Sequence, residues 1–470
     1  MSTSSAAGPT RLSRDAGHGR SAAPVRILHL GLGNFFRAHQ AWYTENAPDA
    51  ADWGIAAFTG RSPVPADALA AQGGLYSLIT RAADADAVDV ISSVSSVHPA
   101  EDHDSWLGYW RSPSLAIVTL TVTEAGYLRT PDGRLDITRA DVRADIAALR
   151  ADPTGRAVTM PGRMVADYLA RRAAGAGAIA IVPCDNVPEN GPALEAVVAD
   201  LIEAVDPTLA SWVSENVAVC TTMVDRITPA TTDEHRAVVL AATGLVDASP
   251  VPTEPFSEWV IQGEFPSGRP RWEDAGARVV DDVAPFEQRK LWLLNGAHSL
   301  LAYAGTIRGH DTVAEAIADP LLRGWVEEWW TEASRHLSLT ESDVAEYRGA
   351  LVSRFENPNI RHALAQIAAD GSQKIRARIA PTLRAELAAG RVASGASRAI
   401  AAWVVHLRGQ GAPVKDADGS RVVELAAGTL EESVSRVLAF LGADLAANIP
   451  VRDSVLGHAR ALSTWSGGDR

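Results

Sequence analysis

The sequence predicts an α/β fold, with a mostly parallel sheet in the N-terminal part and a mainly α-helical C-terminal part. Two observations lead to this fold class. Short and continuously apolar runs recur between residues 25 and 182, as strands buried on both faces of a parallel sheet require. After about residue 284 the apolar residues repeat at helical spacing instead, for example over 321–336 and 430–441.

Composition sets the expected division of the chain. Its 470 residues are enough for two or three domains and a large core. We expect an α/β domain over residues 25–283 and a helical domain over residues 284–470. Residues 1–24 are rich in Ser, Ala, Gly and Arg and have little to bury, so we expect a disordered tail there. This segment also lacks the apolar core of a secretory signal.

Charge and cysteine content exclude several classes of protein. The formal net charge is −14 and no basic cluster is present, which argues against a nucleic-acid partner. No stretch approaches the ~18 uncharged apolar residues of a membrane span. The two cysteines, Cys184 and Cys220, form neither a disulfide framework nor a Cys-x-x-Cys metal pair. These observations together predict a cytoplasmic protein without membrane partners.

A glycine-rich turn follows the first predicted strand, residues 25–30. Gly31 permits a tight turn, Gly33 lets the backbone approach a pyrophosphate, and the following helix offers free N–H groups to an anion. Strand, glycine turn and helix in this order open a Rossmann-like dinucleotide-binding unit. Phe36 stands where the usual third glycine would be, so a turn without nucleotide is the alternative. The residues expected to bind the cofactor are Gly31, Gly33, Asn34, Phe35 and Arg37.

The second predicted strand, residues 53–58, bears on the choice of cofactor. NAD-specific folds usually place Asp or Glu at the end of this strand for the ribose hydroxyls. Here Arg61 and Ser62 follow the strand closely, and no carboxylate appears until Asp67. Arg61 suits a 2′-phosphate, so NADP is possible beside NAD. The alternative is that Arg61 is a solvated loop charge.

Two further buried strands are expected at residues 115–122 and 178–182. A polar loop follows each, and the second of these loops contains Asn186. Ligands of open α/β sheets bind at the carboxyl ends of the strands, so both loops should face cofactor and substrate.

Lys290, Asn295 and His298 place an amine, a carboxamide and an imidazole within nine residues of an apolar, helical stretch. On an α-helix Asn295 would lie about 140° and His298 about 80° around from Lys290, so the three fit one broad face. Burial would lower the pKa of the lysine toward neutrality, and the amine could then accept a proton. The alternative is a helix with a snorkelling lysine and two satisfied polar groups.

These residues together resemble the mannitol dehydrogenase family, the polyol-specific long-chain dehydrogenases, over about residues 25–445. The motifs that match are Gly31-x-Gly33-x-Phe35-x-Arg37-Ala-His-Gln40, Cys184-Asp-Asn186, Met223-Val-Asp-Arg-Ile-Thr-Pro229, Glu254-Pro-Phe256, Gly268-Arg-Pro270, Lys290-x4-Asn295-x2-His298 and Asp370-Gly-Ser-Gln-Lys374. The last two motifs are highly specific in combination.

The resemblance implies a metal-free, NAD(P)-dependent oxidoreductase that interconverts a secondary alcohol and a ketone. Lys290 would be the general base. Asn186 and Asn295 would donate hydrogen bonds to the developing alkoxide, and His298 would orient the substrate oxygen. The sequence contains no Cys-rich or His-x-x-x-His zinc pattern, and no metal is expected. The resemblance also favours NAD as the cofactor and a monomer or weak homo-oligomer as the assembly.

The substrate expected from the resemblance is a linear sugar acid or polyol. Mannitol dehydrogenases of the family typically carry Arg at the position of Gln366. The sequence around Gln366 is more similar to the fructuronate reductase branch. Arg361 or Lys374 could bind a carboxylate, unless both charges are structural. D-Mannonate with D-fructuronate is the preferred pair, and D-mannitol with D-fructose is the close alternative. A redox sensor that binds NAD(P) without catalysis is a third possibility, although it would not need the Lys290 cluster.

Overall fold

A computed structural model describes residues 10–60 and 64–465 of the chain. The chain divides into two compact units, with the boundary between Val283 and Ala284. Residues 1–9 of the expected tail and Arg61 lie outside the described residues.

The first unit contains the β-strands. In chain order they are β1 (Thr10–Arg11), β2 (Val25–Leu30), β3 (Gly54–Phe58), β4 (Tyr76–Arg81), β5 (Asp86–Ile91), β6 (Val94–His98), β7 (Ile117–Leu120), β8 (Ile179–Pro183), β9 (Val217–Val219), β10 (Thr221–Asp225), β11 (Leu245–Val246), β12 (Val251–Thr253), β13 (Glu258–Gln262) and β14 (Arg278–Val279). Six of them form a parallel sheet in the order β6-β3-β2-β7-β8-β9. This is the strand order of the Rossmann fold, with the reversal between β2 and β7. The predicted α/β class with a parallel sheet is confirmed.

Helices cover both faces of this sheet. The helices of the first unit are α1 (Asn34–Ala38), α2 (Gln40–Asn46), α3 (Val64–Ala70), α4 (His103–Trp110), α5 (Ala140–Ala151), α6 (Met160–Ala174), α7 (Asn190–Val205), α8 (Leu209–Asn216) and α9 (Asp233–Thr243), of which α9 packs on β4, β5 and β11 instead. Successive strand residues alternate between two apolar clusters. Leu28 and Val118 belong to one, while Ile27 and Ile117 belong to the other. Burial on both faces explains why the strands read as continuous apolar runs.

Residues 10–24 differ from the expected disordered tail. Thr10 and Arg11 pair in parallel with β11, and Leu12 is fully buried. The guanidinium of Arg14 donates to the carbonyls of Gly73 at 2.8 Å and Val94 at 3.0 Å. Arg20 also pairs with Glu45 at 2.7 Å, so backbone pairing and two arginines hold the segment, which its low average hydrophobicity does not reveal.

The region 220–275 is more regular than its content of Pro, Gly and Thr indicates. It contains α9 and four strands, and β10 pairs antiparallel with β13 along five residues. Its Pro and Gly residues sit between these short elements, which explains the loop-like composition.

The second unit is helical in the described residues. Its α-helices are α10 (Ala284–Arg289), α11 (Ala297–Ile307), α12 (Val313–Ala318), α13 (Pro320–Ser334), α14 (Glu341–Phe355), α15 (Leu364–Ile367), α16 (Gly371–Arg378), α17 (Ala380–Ala388), α18 (Ser394–Leu407), α19 (Gly419–Ala426), α20 (Leu430–Leu441), α21 (Ala443–Ala446) and α22 (Ile449–Ser463). A π-helix, Lys290–Gly296, joins α10 to α11. Helices α11 and α18 are buried on almost all sides and pack on each other, which makes them the centre of this unit.

Candidate active site

The glycine turn lies where the strand order reverses, between the ends of β2, β3 and β7. The amides of Gly31 and Leu32 both donate to the carbonyl of Phe58 at 3.0 Å. Gly31 has φ +112°, and a Cβ there would overlap the carbonyl oxygen of Thr121, so the turn requires glycine. A Cβ at Gly33 would meet nothing closer than 3.7 Å. The fold itself therefore tolerates a side chain at Gly33, and the open space fits the close approach of a pyrophosphate.

Asn34 and Arg37 make bonds within the first unit. The Nδ2 of Asn34 donates to the carbonyl of Pro229 at 2.9 Å, and its Oδ1 accepts from Arg37 Nη2 at 2.6 Å. Arg37 is 4% exposed, and its Nη1 donates to the carbonyl of Ser249 at 2.7 Å. These bonds hold α1 against the segment 229–249. A direct contact of either side chain with a cofactor stays a prediction.

Two phenylalanines of the turn are also placed by packing. Phe35 is half-buried and stacks on His39 with ring centroids 4.9 Å apart. Phe36, at the usual third-glycine position, is buried and stacks on His29 at 3.5 Å. The aromatic ring thus occupies the helix–strand contact that a glycine normally makes possible.

Asn186 is exposed on the loop that follows β8, directly after the buried Asp185. The Nδ2 of Asn190 donates to the carbonyls of Asp185 at 3.1 Å and Thr222 at 2.9 Å, which fixes the far end of this loop. The carboxylate of Asp185 accepts from the amide of Thr123 at 2.6 Å. Burial raises the pKa of Asp185 to about 6, and the hydrogen bond from Thr123 partly offsets that rise.

Lys290 and Asn295 lie on the π-helix rather than on an α-helix, which corrects the expected angles. Hydrogen bonding from residue i to i+5 brings residues five positions apart to nearly the same side. Lys290 and Asn295 are five apart and both half-buried, so they share one side more closely than the predicted 140° allows. Single π-turns within helices are frequent at functional sites.

Two tryptophans of α13 support the π-helix. The indole N–H groups of Trp329 and Trp330 donate to the carbonyls of Trp292 at 2.9 Å and Leu293 at 2.8 Å. A Cβ at Gly296 would lie 2.7 Å from the Trp329 ring, so glycine at this position lets the indole reach the backbone. The widened turn is therefore stabilised by contacts from a distant part of the sequence.

His298 is buried at the start of α11 and faces a second imidazole. Its ring centroid lies 4.9 Å from that of His362 and 4.9 Å from that of Phe355. The Nε2 of His298 and the Nδ1 of His362 are buried without a hydrogen-bond partner. Burial lowers the pKa of His298 well below its usual range, and His362 and the cations Arg354 and Arg378 lower it further. His298 is therefore a neutral imidazole.

The three residues expected to bind the far end of the substrate differ in their surroundings. The ammonium of Lys374 donates to the carbonyls of Ile367 at 3.1 Å and Ala369 at 2.5 Å, and burial lowers its pKa. This is the structural role that the sequence left open for Lys374. Arg361 and Gln366 are exposed.

Arg378 is a residue that sequence reasoning missed. Its Nη1 donates to the carbonyl of Asn295 at 3.3 Å and to the hydroxyl of Ser299 at 3.2 Å. Burial lowers its pKa to about 10. It lies four residues after Lys374 on α16, and that spacing within a matched motif was the available signal. His362, directly after Arg361, was missed in the same way.

Comparison with known families covers both units. Residues 25–274 match the mannitol dehydrogenase Rossmann domain, and residues 282–461 match the mannitol dehydrogenase C-terminal domain. The chain belongs to the mannitol dehydrogenase family. It is accordingly an oxidoreductase that acts on the CH–OH group of a polyol or sugar acid.

Individual relatives differ in the substrates for which they are named. The D-mannonate oxidoreductase of Escherichia coli K12 is 37% identical over 82% of this chain and 80% of its own length. The D-arabinitol 4-dehydrogenase of Ralstonia nicotianae is 38% identical over 77% of this chain and 78% of its own. A solved ternary complex of Pseudomonas fluorescens mannitol 2-dehydrogenase with NAD and D-mannitol is 30% identical, with a TM-score of 0.76 over 97% of this chain and 95% of its own.

Two kinds of feature are absent from the part of the chain that the structure describes. No helix among residues 10–60 and 64–465 is long and apolar enough to cross a membrane. In the same ranges no group of three or more His, Cys, Asp or Glu side chains is arranged to hold a metal ion. The metal-free mechanism stays a prediction from the sequence.

Proposed function

We propose that the protein interconverts D-mannonate and D-fructuronate, with Lys290 as general base. The first unit binds NAD(H) and the second supplies most of the groups that act on the substrate. The observation that carries the proposal is the π-helix, which brings the amine of Lys290 and the carboxamide of Asn295 to one side, one turn before the neutral imidazole of His298.

The choice of lysine at position 290 supports the role of base. Only three of the 43 Lys and Arg residues of this chain are lysines: Lys290, Lys374 and Lys415. A guanidinium does not give up its proton in proteins, whereas an amine can. In a chain that uses arginine for almost every cation, a lysine at the reacting position is what proton transfer requires.

The residues of the chain act on the substrate as follows. Lys290 Nζ accepts the proton of the substrate hydroxyl, while bound NAD⁺ supplies the acceptor for the hydride that leaves the same carbon. Asn186 and Asn295 donate hydrogen bonds to the oxygen as negative charge develops on it. His298, being neutral, holds a neighbouring hydroxyl without bringing a second charge to the base. The products are ketone, NADH and one proton.

Gly31 and Gly33 support NAD(H) binding most directly. The first fixes the turn at the point where the strand order reverses, and the second leaves room for the pyrophosphate. Asn34, Phe35 and Arg37 hold this turn in place through their contacts within the unit. Because Arg61 suits a 2′-phosphate, NADP is the second candidate cofactor.

The charges around His298 favour a sugar acid over a neutral polyol. The ionic side chains that act on its ring are two arginines, Arg354 and Arg378. A positive environment of this kind complements the carboxylate of an aldonate. Arg361 is the exposed cation proposed to contact that carboxylate, whereas Lys374 is engaged by two backbone carbonyls.

A substrate panel tests the proposed reaction. Oxidation of NADH and NADPH is followed with fructuronate, tagaturonate and fructose, and we expect the highest kcat/KM for NADH with fructuronate. A higher kcat/KM with fructose would favour the mannitol reaction. NADH that binds but is never consumed by any of the three would favour a redox sensor.

Substitution of the base tests the mechanism. Lys290→Met keeps most of the side-chain volume but removes the amine, and we expect kcat to fall by at least about 10³-fold with little change in NADH affinity. The matched control is Lys415→Met, which removes the exposed lysine. A Lys290→Met variant with most of its kcat would contradict the assignment.

A further inference from the structure

The segment Thr121–Thr123, directly after β7, is bonded on one side to the glycine turn. The hydroxyl of Thr121 donates to the carbonyl of Gly31 at 2.8 Å. The backbone of Thr121 also packs against the turn, because its carbonyl oxygen occupies the place that a side chain at Gly31 would need. The turn and this segment therefore fix each other.

A buried histidine extends this contact into the sheet. His29 is fully buried, and its Nε2 lies 3.1 Å from Thr121 Oγ1 and its Nδ1 2.7 Å from Thr119 Oγ1. Thr121 gives its only hydroxyl proton to Gly31, so it accepts from His29 Nε2–H, and His29 Nδ1 then accepts from Thr119. Burial lowers the pKa of His29 to about 3, so the ring is neutral. The three bonds form one directed chain that ends at the glycine turn.

On its other side the segment is bonded to the loop that carries Asn186. Asp185 accepts from the amide of Thr123 at 2.6 Å through Oδ1 and from the hydroxyl of Tyr127 at 3.2 Å through Oδ2. Asp185 is the residue immediately before Asn186. Its carboxylate thus joins the loop after β7 to the loop after β8.

Thr123 adopts a backbone conformation that residues with side chains avoid. Its φ is +67° and its ψ is 162°, a region that is almost confined to glycine, and threonine is β-branched. Thr123 is exposed, so core packing does not impose this conformation. The bond to Asp185 is the contact that holds the amide in this orientation.

We propose that Thr121–Thr123 is a positioning segment, which sets the cofactor turn through Thr121 and the alkoxide donor Asn186 through Asp185. The inference rests on the proposed function, in which Gly31 and Gly33 hold NAD(H) and Asn186 acts on the substrate oxygen. The contacts of the segment with the cofactor turn and with Asp185 have separate effects on the enzyme. Loss of the Thr121 hydroxyl weakens NADH binding, and loss of the Asp185 charge lowers turnover.

The cofactor side is tested by direct NADH binding, followed by fluorescence with no substrate present. We expect Thr121→Val to raise the Kd for NADH about 3- to 10-fold with kcat at saturating NADH nearly unchanged. Thr121→Ser keeps the hydroxyl and should restore the affinity. Thr119→Val is the matched control, because it removes a hydrogen bond of the same chain without touching Gly31. An unchanged Kd in Thr121→Val, or an equal rise in Thr119→Val, would overturn this side of the proposal.

The substrate side is tested with Asp185→Asn and Tyr127→Phe. We expect Asp185→Asn to lower kcat about 10-fold, with the Kd for NADH unchanged. Tyr127→Phe removes one of the two bonds and should lower kcat about 2- to 3-fold, which keeps the test open if the first variant does not fold. Unchanged kcat in both folded variants overturns the proposal.

Two reference measurements separate failure of this inference from failure of the proposed function. Wild-type protein that does not bind NADH, or an Asn186→Ala variant with normal kcat, would refute the proposed function itself. If wild-type protein binds NADH and Asn186→Ala is impaired, normal behaviour of Thr121→Val and Asp185→Asn refutes only the positioning role.

Discussion

Two buried carboxylates, Asp185 in the first unit and Glu386 in the second, show opposite uses of the same chemical group. Glu386 is 1% exposed and is surrounded by three basic side chains, Arg335, His336 and Arg391. Asp185 is also buried, but the bonds described for it come from a backbone amide and a hydroxyl. The pKa of Glu386 is lowered to about 2, chiefly by Arg391, whereas burial raises the pKa of Asp185 to about 6.

The difference indicates which of the two carboxylates serves stability and which serves the site. An acid whose charge is neutralised by neighbouring bases adds to the free energy of unfolding. An acid that is buried with neutral donors only costs free energy when it is ionised, and such a cost is common where function requires a fixed geometry. The comparison therefore predicts opposite effects when each charge is removed.

Glu386→Gln should give the largest change in stability. It leaves Arg335 and Arg391 without their counter-charge, although both are nearly half exposed and can recover hydration. We expect a loss of about 2 kcal/mol in the free energy of unfolding and a Tm lower by roughly 4–8 °C. Thermal unfolding followed by circular dichroism measures this, with Glu424→Gln, an exposed acid, as control. A Tm within 1 °C of wild type would mean that the cluster contributes nothing.

Asp185→Asn should change stability in the opposite direction at pH 7. The amide oxygen accepts from Thr123 more weakly than a carboxylate does, and the Tyr127 hydroxyl must change from donor to acceptor, but the cost of a buried charge is gone. We expect a Tm higher by roughly 2–4 °C together with the lower kcat described above. A lower Tm with a lower kcat would indicate a structural role only, and it would remove the contrast with Glu386.

The pH dependence of stability should also differ in sign between the two residues. The folded pKa of Asp185 is raised, so its contribution is most favourable below its unfolded pKa and is lost as pH rises through about 6. The folded pKa of Glu386 is lowered, so its contribution is present above its unfolded pKa and is lost as pH falls toward about 2. Urea unfolding from pH 3 to pH 7 should show a steeper rise in stability for Asp185→Asn than for wild type and a shallower one for Glu386→Gln. Parallel curves for all three proteins would show that neither shift is present.

The sequence predicted those parts of the fold that depend on neighbouring residues. The strand before Gly31, the turn itself and the long helices of the second unit are set by local composition and spacing, and all are found. Lys290 and Asn295 were selected correctly as close neighbours on a helix. Their assigned chemistry rests on the family and stays a prediction.

The remaining features depend on contacts between distant residues. The π-helix is supported by Trp329 and Trp330, 37 residues further along the chain. Asp185 reaches Thr123 across 62 residues because β7 and β8 are paired in one register. Neither contact has a local signal in one sequence. This is why local patterns gave the wrong angle between Lys290 and Asn295 and predicted no role for Asp185.

The smallest effect is expected where a carboxylate is neutralised at the surface. Asp200 accepts from Arg134, but the arginine side chain is 67% exposed, so water replaces it at little cost. The amide of Leu135 also donates to Asp200 at 2.9 Å, and that bond survives removal of the arginine. Arg134→Ala should therefore shift Tm by less than about 1 °C, and 0.5 M NaCl should abolish even that shift. A shift as large as that of Glu386→Gln would show that exposure of the arginine does not decide how much an ion pair contributes to stability.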